Sequence, residues 1–529
     1  MSTYPRQLKK QAESALCDSR YDFIATYHAV NDLRQLARHH TGILDALTLA
    51  AVAELLQTEA FDGFRQAYVL FREAASILTD LAMSPGNNGM GTAALSVLQH
   101  LLLKTRGSAH RGVAEALGNL PVTIKGPPTP QHSCSPPAAI AWHRLVTLSG
   151  LTPIGGPRYI GRSLVVKTRH PHRWLVVKLA KKTDVTTDLE NEIGWMETLN
   201  QADAAAGCRF DIPAPIHVHG HALFRLKDLP LAPPETIERH PHSIAIAFVA
   251  HRDYFVYPNH PDIDAVTARE ALGRNAYLLG WMAAKGVIHM APIPLFHNRT
   301  QRLRRDDQGR YQWFRAGRLD QWLDSCAYPN LGVSGVRDFE HLESFSGDSQ
   351  ALYRHIGTHL MSLLLVAGSY FRNRDKTRIG VDLHGQPVKT GDLFDPSLLS
   401  AMVQDIFTSY YRGFAGNSPP DALPVDLDRL TRRMIAEMGV DRYMTELLRC
   451  ADQVHLSDTE WVAFLKQKGY CDDQLTKVVR GERDLWFSSG PHLGDFNAKI
   501  CLPELTESVA AMAAVCMAAR FKTDAQPAD

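Results

Sequence analysis

The sequence has no paired cysteine motif, no excess of charge of either sign and no long hydrophobic run. Its eight cysteines are scattered without a CxxC pair, which argues against a disulfide scaffold or a zinc site and is typical of a reducing compartment. Lys and Arg total 57 against 56 for Asp and Glu, so no overall field attracts nucleic acid or an anionic membrane. No signal-peptide core or bilayer-spanning stretch is present. We therefore expect a cytoplasmic protein without a nucleic-acid or membrane partner.

The 529 residues exceed what one hydrophobic core normally holds, and their periodicity divides them into regions. In residues 1–125 apolar side chains recur at helical spacing, as in Phe23, Tyr27, Val30, Leu33 and Leu36. This pattern predicts an all-α domain of HEAT- or armadillo-like repeats, with an irregular helical bundle as the alternative. Residues 126–138 are proline-rich and predict a linker, and residues 425–529 predict a separate helical region.

From residue 139 the periodicity becomes that of strands rich in Val, Ile, Phe and Tyr. The elements predicted here are the strands Ser163–Thr168 and Arg173–Ala180, the helix Thr187–Leu199, and the strands Ile216–Leu226 and Ile244–Tyr257. Strands, one helix and two more strands are the order of a protein-kinase N-lobe. Further on we expect a helix at Arg269–Lys285 and a hairpin at Arg302–Arg315. The fold prediction is thus α+β and two-lobed, with a protein-kinase-like N-lobe over 139–260 and a C-lobe over 261–415.

Lys178 ends the apolar strand Trp174-Leu-Val-Val-Lys, where a buried ammonium group is costly unless it meets an anion. In kinases a lysine at this place contacts the α- and β-phosphates of ATP and pairs with a glutamate of the next helix. Glu192 lies on the following predicted helix, and apolar neighbours on both sides would direct it inward. We therefore predict an ion pair between Lys178 and Glu192.

Glycines precede this lysine in the segment Ile154-Gly-Gly-Pro-Arg-Tyr-Ile-Gly-Arg162. Gly155, Gly156 and Gly161 would let the backbone approach phosphates closely. The spacing is not GxGxxG, so a plain hairpin loop is the alternative. The lysine that follows favours the phosphate-binding interpretation.

The catalytic base of a kinase is missing from its expected place. Gly286-Val-Ile-His289 resembles the approach to a catalytic loop, but Met290 and Ala291 replace the arginine and the aspartate. His251-Arg252-Asp253 matches the letters of the motif inside a predicted strand, and Asp324 is a second displaced candidate. The sequence therefore predicts a pseudokinase, with an unusual base at Asp253 or Asp324 as the alternative.

Two residues further along suit a divalent metal. Asn330 precedes a short apolar segment that ends in Asp338-Phe339-Glu340, which resembles the DFG motif with glutamate in place of glycine. In kinases an asparagine and this aspartate hold Mg²⁺ against the phosphates. We therefore predict that Asn330 and Asp338 bind magnesium together with ATP.

The missing base has a chemical consequence. A kinase uses it to accept the proton of a hydroxyl nucleophile. A carboxylate nucleophile is already ionised near neutral pH and needs no base. A site that keeps the lysine, glutamate, asparagine and aspartate can therefore still transfer a nucleotide to a carboxylate.

Together these residues make the chain similar to the SidJ-type pseudokinases over roughly residues 150–415; the matching positions are Lys178, Glu192, Tyr328, Asn330 and Asp338. That family adenylates a glutamate of a target protein and then joins free glutamate to it. The resemblance implies that Lys178 and Glu192 hold the phosphates, that Asn330 and Asp338 bind Mg²⁺, and that Arg162 is the arginine of the glycine loop. The N-terminal helical block indicates a bacterial relative.

The resemblance also implies a second nucleotide pocket, in which His289 and Arg318 would contact an adenylate. His341 stands where the family has another aspartate, so the family's number of metal ions is not carried over to this chain. No calmodulin-binding helix is recognisable in 425–529, so a calmodulin requirement is not carried over, although another protein activator is compatible with the sequence.

The leading functional prediction is an ATP- and magnesium-dependent glutamylase that acts on a protein substrate with free glutamate. A non-catalytic, nucleotide-sensitive scaffold, with the N-terminal helices recruiting partners, is the first alternative. A protein kinase with an unusual base is the second.

Overall fold

The structure is a computed structural model, and it describes the following residues: 4–18, 22–61, 64, 66–84, 88–130, 138–182, 186–206, 211–235, 237–238, 240, 242–260, 262–293, 300–305, 311–315, 329–374, 396–416, 426–435, 485–486 and 503–525. These residues form an α+β arrangement, mostly helical, with a mixed sheet and a block of N-terminal helices. The predicted α+β class is thereby confirmed.

The N-terminal block consists of α1 (Tyr4–Asp18), α2 (Phe23–His39), α3 (Ala46–Leu56), α4 (Ala67–Ala82), α5 (Asn88–Lys104) and α6 (Gly107–Gly118). Aspartate N-cap residues stabilise the first turns of two of these helices. The Asp22 carboxylate accepts the amides of Ile24 and Ala25 at 3.0 and 3.2 Å, and Asp45 forms a capping box with Thr48. The helical content predicted here is confirmed, while the repeat architecture stays a prediction.

The sheet begins after this block. Its elements are β1 (Ala138–Ala141), α7 (Trp142–Leu148), β2 (Arg158–Ile160), β3 (Ser163–Val166), β4 (Arg173–Leu179), α8 (Thr187–Ala206), β5 (Ala214–Ile216), β6 (Phe224–Lys227) and β7 (Ser243–His251). The strand order is β2-β3-β4-β7-β6-β1, and β5 also pairs with β7. Among the described strands of this sheet, β1 and β6 pair in parallel and the other pairs are antiparallel.

Both faces of the central strand β4 are buried, which explains its unbroken apolar sequence. Val176 belongs to the large hydrophobic cluster on one face, and Leu175 and Val177 belong to a smaller cluster on the other. Lys178 faces Ser163 of β3 and Ile246 of β7 in the register. Its position in the middle of the sheet excludes most solvent from the ammonium group.

Two predicted strands are shorter than expected. The segment predicted as one strand over Ile216–Leu226 is β5 and β6 separated by a turn, in which His219 and Gly220 have positive φ. The strand predicted to reach Tyr257 ends at His251, and a turn follows. In both places the backbone forms local hydrogen bonds within a turn in place of hydrogen bonds to a neighbouring strand.

After the sheet come α9 (Ala265–Ala284), β8 (Val287–His289), β9 (Thr300–Arg305), β10 (Tyr311–Arg315), β11 (Leu342–Ser344), α10 (Ser349–Arg374), α11 (Pro396–Ala415), α12 (Leu427–Ile435), β12 (Leu485–Trp486) and α13 (Pro503–Ala525). The predicted hairpin over 302–315 is confirmed, since β9 and β10 pair antiparallel. β8 and β11 also pair antiparallel, with His289 opposite Leu342.

Two glycines let α9 and α11 approach each other closely. A Cβ added at Gly280 would lie 2.3 Å from the carbonyl oxygen of Tyr410, and one at Gly413 would lie 2.1 Å from that of Tyr277. Real Cβ atoms do not come this close to backbone oxygen. The two helices therefore pack with their backbones nearly in contact.

The helix α13 joins distant parts of the chain. Its residues from Ser508 to Ala518 are buried, and it packs against α6, α10 and α11. At its start, Glu507 accepts the backbone amide of Gly107 at 2.7 Å through its carboxylate. One hydrophobic cluster thus includes N-terminal helices, one face of the sheet and α13.

Part of the proline-rich segment is also fixed to the body. Gly126 donates its amide to the carbonyl of Phe345 at 3.2 Å, and the Ser344 hydroxyl donates to the carbonyl of Pro127 at 2.6 Å.

No helix in the described portion of the chain is long and apolar enough to cross a membrane.

Candidate functional site

The centre of the candidate site is a buried ion pair between a strand and a helix. Lys178 Nζ lies 2.6 Å from Glu192 Oε2, and the two side chains are 8% and 1% exposed. Glu192 shares one face of α8 with the buried residues Leu189, Ile193, Met196 and Leu199. This apolar stripe packs the helix against the sheet and so directs the carboxylate to the lysine.

Asp338 reaches the same lysine from a distant part of the chain. Its Oδ1 lies 3.3 Å from Lys178 Nζ. Asp338 has φ 50° and ψ 61°, a left-handed conformation that is uncommon outside glycine. The next residue, Phe339, is buried in the main core and starts a short 3-10 turn over Phe339–His341. Such strained residues are found preferentially at functional sites.

Glu340 is a further member of the site that was not predicted as one. Its Oε2 lies 3.1 Å from Lys178 Nζ and also accepts a bond from Arg162 Nη2. The signal in the sequence was the glutamate that replaces the glycine of a DFG motif. Asp188, which pairs with the other terminal nitrogen of Arg162, was also missed. It precedes Glu192 by one helical turn and therefore lies on the same face of α8.

Arg162 lies at the turn between β2 and β3, directly after Gly161, which has φ 56°. A Cβ added at Gly155, Gly156 or Gly161 would meet nothing within 4 Å. The backbone of this loop is therefore open to a ligand. Arg162 on this loop contacts the same Glu340 oxygen as Lys178 and so lies close to it.

Asn330 and Asp338 flank a small hairpin that is closed by the bridge between Leu331 and Val336. The Asn330 Nδ2 group donates to the carbonyl of Ala291 at 2.8 Å, which leaves its Oδ1 as the oxygen suited to a metal. In the described residues no group of three or more His, Cys, Asp or Glu side chains could hold a metal ion by itself. Two protein oxygens fit Mg²⁺, which usually takes one or two carboxylates together with substrate phosphates.

His289 supports the segment that carries Asp338. Its Nε2 donates to the carbonyl of Arg337 at 2.8 Å, and its Nδ1 accepts the amide of Ala291 at 3.2 Å. The His289 carbonyl in turn accepts a bond of 3.0 Å from His359, whose other nitrogen bonds to Tyr410. The ring is 1% exposed. His289 thus has a positioning contact here, and its expected contact with an adenylate stays a prediction.

Arg337 fixes the same segment from the other side. Its guanidinium lies 5.5, 4.9 and 5.0 Å from the ring centres of Tyr254, Phe255 and Tyr257. These rings belong to the turn that follows β7. The cation–π contacts therefore connect the residues after the sheet to the residue before Asp338.

The electrostatics of the site are dominated by negative charge. Burial alone would lower the pKa of Lys178, but the carboxylates of Glu192, Asp338 and Glu340 outweigh it and raise that pKa. Burial raises the pKa of Glu192 to about 7; Lys178 opposes this rise, and Glu340 adds to it. Burial alone would raise the pKa of Asp338, but the positive charges of Lys178 and then Arg337 hold that pKa well below the usual value.

These shifts have a simple chemical meaning. Lys178 stays charged, and Asp338 stays ionised, as a metal ligand must be. The carboxylates of Asp188, Glu192, Asp338 and Glu340 meet the cations of Lys178 and Arg162, and Arg337 acts on Asp338 as a third cation.

The structure brings Lys178, Glu192, Asp338 and Arg162 together. The described residues do not include Tyr328, Arg318 or Asp324. Asp253 is paired with its own neighbours, at 3.6 Å from both His251 and Arg252, in the turn after β7.

A groove elsewhere in the molecule has no residue in common with this site. It lies between α1 and α3 and is lined by Leu16, Ala50, Ala53, Leu55 and their neighbours. Among the described residues that line it, Glu54 is ionisable.

No protein-family model matches this sequence, and a search of curated proteins likewise finds no match.

Proposed function

We propose that residues 139–415 form a two-lobed, protein-kinase-like fold. The antiparallel strands β2-β3-β4-β7, with β5 and β6 both beside β7, correspond to the N-lobe sheet of a kinase, and α8 lies between β4 and β5 as the lobe's helix does. The antiparallel pair of β8 and β11 brackets Asn330 and Asp338, as the strands around a kinase metal site do. These correspondences support the proposal independently of the sequence motifs.

The proposed function is that of an ATP- and Mg²⁺-dependent pseudokinase of the SidJ type, which adenylates a carboxylate of a protein and ligates glutamate to it. The single observation that carries this proposal is the buried Lys178, which contacts both Glu192 and Asp338 although they come from distant segments. A lysine between these two carboxylates is what a kinase uses to orient the phosphates of ATP.

The roles of the residues follow from the charge of the ionised side chains and from the amide oxygen of Asn330. Lys178 and Arg162 would hold phosphate oxygens, and Glu192 would hold Lys178 in place. Asp338 and Asn330 would hold Mg²⁺, which supplies charge neutralisation at the phosphates.

The absence of a catalytic aspartate favours a nucleophile that needs no base. Met290 and Ala291 follow His289, where a kinase has arginine and aspartate. An ionised carboxylate would attack the α-phosphorus, forming a P–O bond as pyrophosphate leaves. The amine of glutamate would then attack the activated carbonyl carbon, lose a proton, and release AMP.

The test uses ATP labelled at the α-phosphate and, separately, labelled glutamate, with Mg²⁺ and a cell lysate as the source of substrate and activator. We expect AMP release and glutamate incorporated into protein, both lost in Lys178→Met and Asp338→Asn. No AMP release and no labelled protein in any lysate would contradict the proposal. A parallel assay with ATP labelled at the γ-phosphate tests the kinase alternative, which predicts labelled protein and ADP in place of AMP.

A further inference from the structure

Glu340 connects the two cations of the site. One carboxylate oxygen bonds both Lys178 Nζ, at 3.1 Å, and Arg162 Nη2. The three side chains are 14%, 8% and 10% exposed, so the contact is largely shielded from water. It joins the glycine loop, the central strand and the turn after Asp338. An ordinary kinase has glycine, with no side chain, at this position of the motif.

A carboxylate and a phosphate can bind the same hydrogen-bond donors of Lys178 and Arg162. Both are anions that accept charge-assisted bonds from lysine and arginine. Lys178 and Arg162 are the cations that the proposed function assigns to the phosphates. Since one ammonium group and one guanidinium cannot keep the Glu340 bonds and also take up phosphate oxygens at the same positions, the two anions exclude each other.

We propose that Glu340 is a built-in competitor of the nucleotide, which occupies Lys178 and Arg162 until the phosphates displace it. This inference rests on the proposed function and adds a form of regulation to the same site. The competitor closes the glycine loop onto the turn after Asp338 when nucleotide is absent. Any partner that moves this turn would change the affinity for nucleotide.

The surroundings of Glu340 allow the displacement. Its second oxygen, Oε1, lies 3.6 Å from His341 Nε2, which offers a polar neighbour away from Lys178. Arg162 keeps Asp188 as a partner when Glu340 leaves. Lys178 keeps Glu192 and Asp338 as partners when Glu340 leaves. Removing the Glu340 charge is therefore compatible with folding.

The experiment measures ATP, inorganic tripolyphosphate and adenosine binding by calorimetry, with Mg²⁺, for the full-length wild type, Glu340→Gln and Glu340→Ala. We expect both variants to bind ATP and tripolyphosphate about tenfold more tightly, because the competing charge-assisted bonds are gone. Adenosine, which has no phosphates, is expected to bind equally to all three. The matched control is Glu343→Gln, an exposed glutamate of β11 that should leave every affinity unchanged.

The outcomes separate the two proposals. If the wild type binds ATP and the Glu340 variants bind it equally or more weakly, the proposed competition between Glu340 and the nucleotide is wrong and the proposed function stands. If adenosine binding rises as much as ATP binding, the effect is a general opening of the pocket, and competition for phosphate is also wrong. If no form binds ATP or tripolyphosphate, both proposals are overturned. Thermal unfolding of each variant shows that folding is retained.

Discussion

Lys178 and Glu192 show how far single residues could be predicted. A lysine at the end of an apolar strand and a glutamate within an apolar helical stripe each have one favourable arrangement, because a buried charge needs a partner. Asp338 was predicted in another way, from the resemblance of Asp338-Phe339-Glu340 to a DFG motif. Neither argument identified Glu340 or Asp188 as partners of the cations, because their contacts depend on how the loop with Arg162 folds back. Spacing alone contains no information about that loop.

The pKa of Glu192 leads to a prediction of stability against pH. It is about 7 in the folded protein, against the ordinary value of 4.5 for an exposed glutamate. Because the folded value is raised, the group's contribution to stability is complete below pH 4.5 and is lost as the pH rises through 7. We expect the unfolding free energy of the wild type, relative to Glu192→Gln, to fall by about 2 kcal/mol between pH 5 and pH 8.

Urea unfolding of both proteins at several pH values measures this difference. The lowered pKa of Asp338 acts only at more acidic pH, outside this window. Buried His359, whose pKa burial lowers to about 3, acts in both proteins and cancels in the comparison. Glu343→Gln should follow the wild type at every pH. Parallel curves for wild type and Glu192→Gln would contradict the assignment.

At the scale of elements, the sequence predicted the strands and the helix around Lys178 well and their ends less well. The predicted helix Thr187–Leu199 continues to Ala206, and the predicted helix Arg269–Lys285 begins at Ala265, after the cap Asp264. The strand of Ile216–Leu226 divides because the backbone turns at His219 and Gly220. Apolar composition shows where residues are buried, but these turns depend on backbone conformations that composition does not specify.

The close contact of α9 and α11 gives a prediction at this scale. Gly280→Ala places a methyl group against the carbonyl of Tyr410, so the helices must separate, and we expect a loss of about 1–3 kcal/mol. Gly273→Ala, on the same helix, meets only the Ser409 hydroxyl, at 3.4 Å. It should be neutral or stabilise by up to about 1 kcal/mol, since alanine favours helix. Chemical unfolding compares them; equal effects would refute the close approach.

At the scale of the whole molecule, α13 shows what the sequence could not predict. Its apolar residues were visible, but periodicity does not identify which distant surfaces a helix covers. In the structure it packs against α6 of the N-terminal block and against α10 and α11. The block and the region around the site therefore share one hydrophobic cluster.

A charge placed in α13 tests this arrangement. Val515 is fully buried, so Val515→Asp buries an unpaired carboxylate, and we expect a loss of about 4 kcal/mol or more, or no folded protein. Ile24→Asp is the matched control, since Ile24 is 68% exposed, and its effect should stay within about 0.5 kcal/mol. Thermal unfolding measures both. A mild effect at Val515 would show that α13 is not part of the core.

The central claim, that Lys178 and Asp338 together form a site for Mg²⁺ and ATP, is tested most directly by calorimetric titration of the full chain with ATP, with and without Mg²⁺. We expect one site per chain, with binding that is strengthened by Mg²⁺, lost in Lys178→Met and made independent of Mg²⁺ in Asp338→Asn. Binding that is unaffected by either substitution, or no binding by the folded wild type, would contradict it.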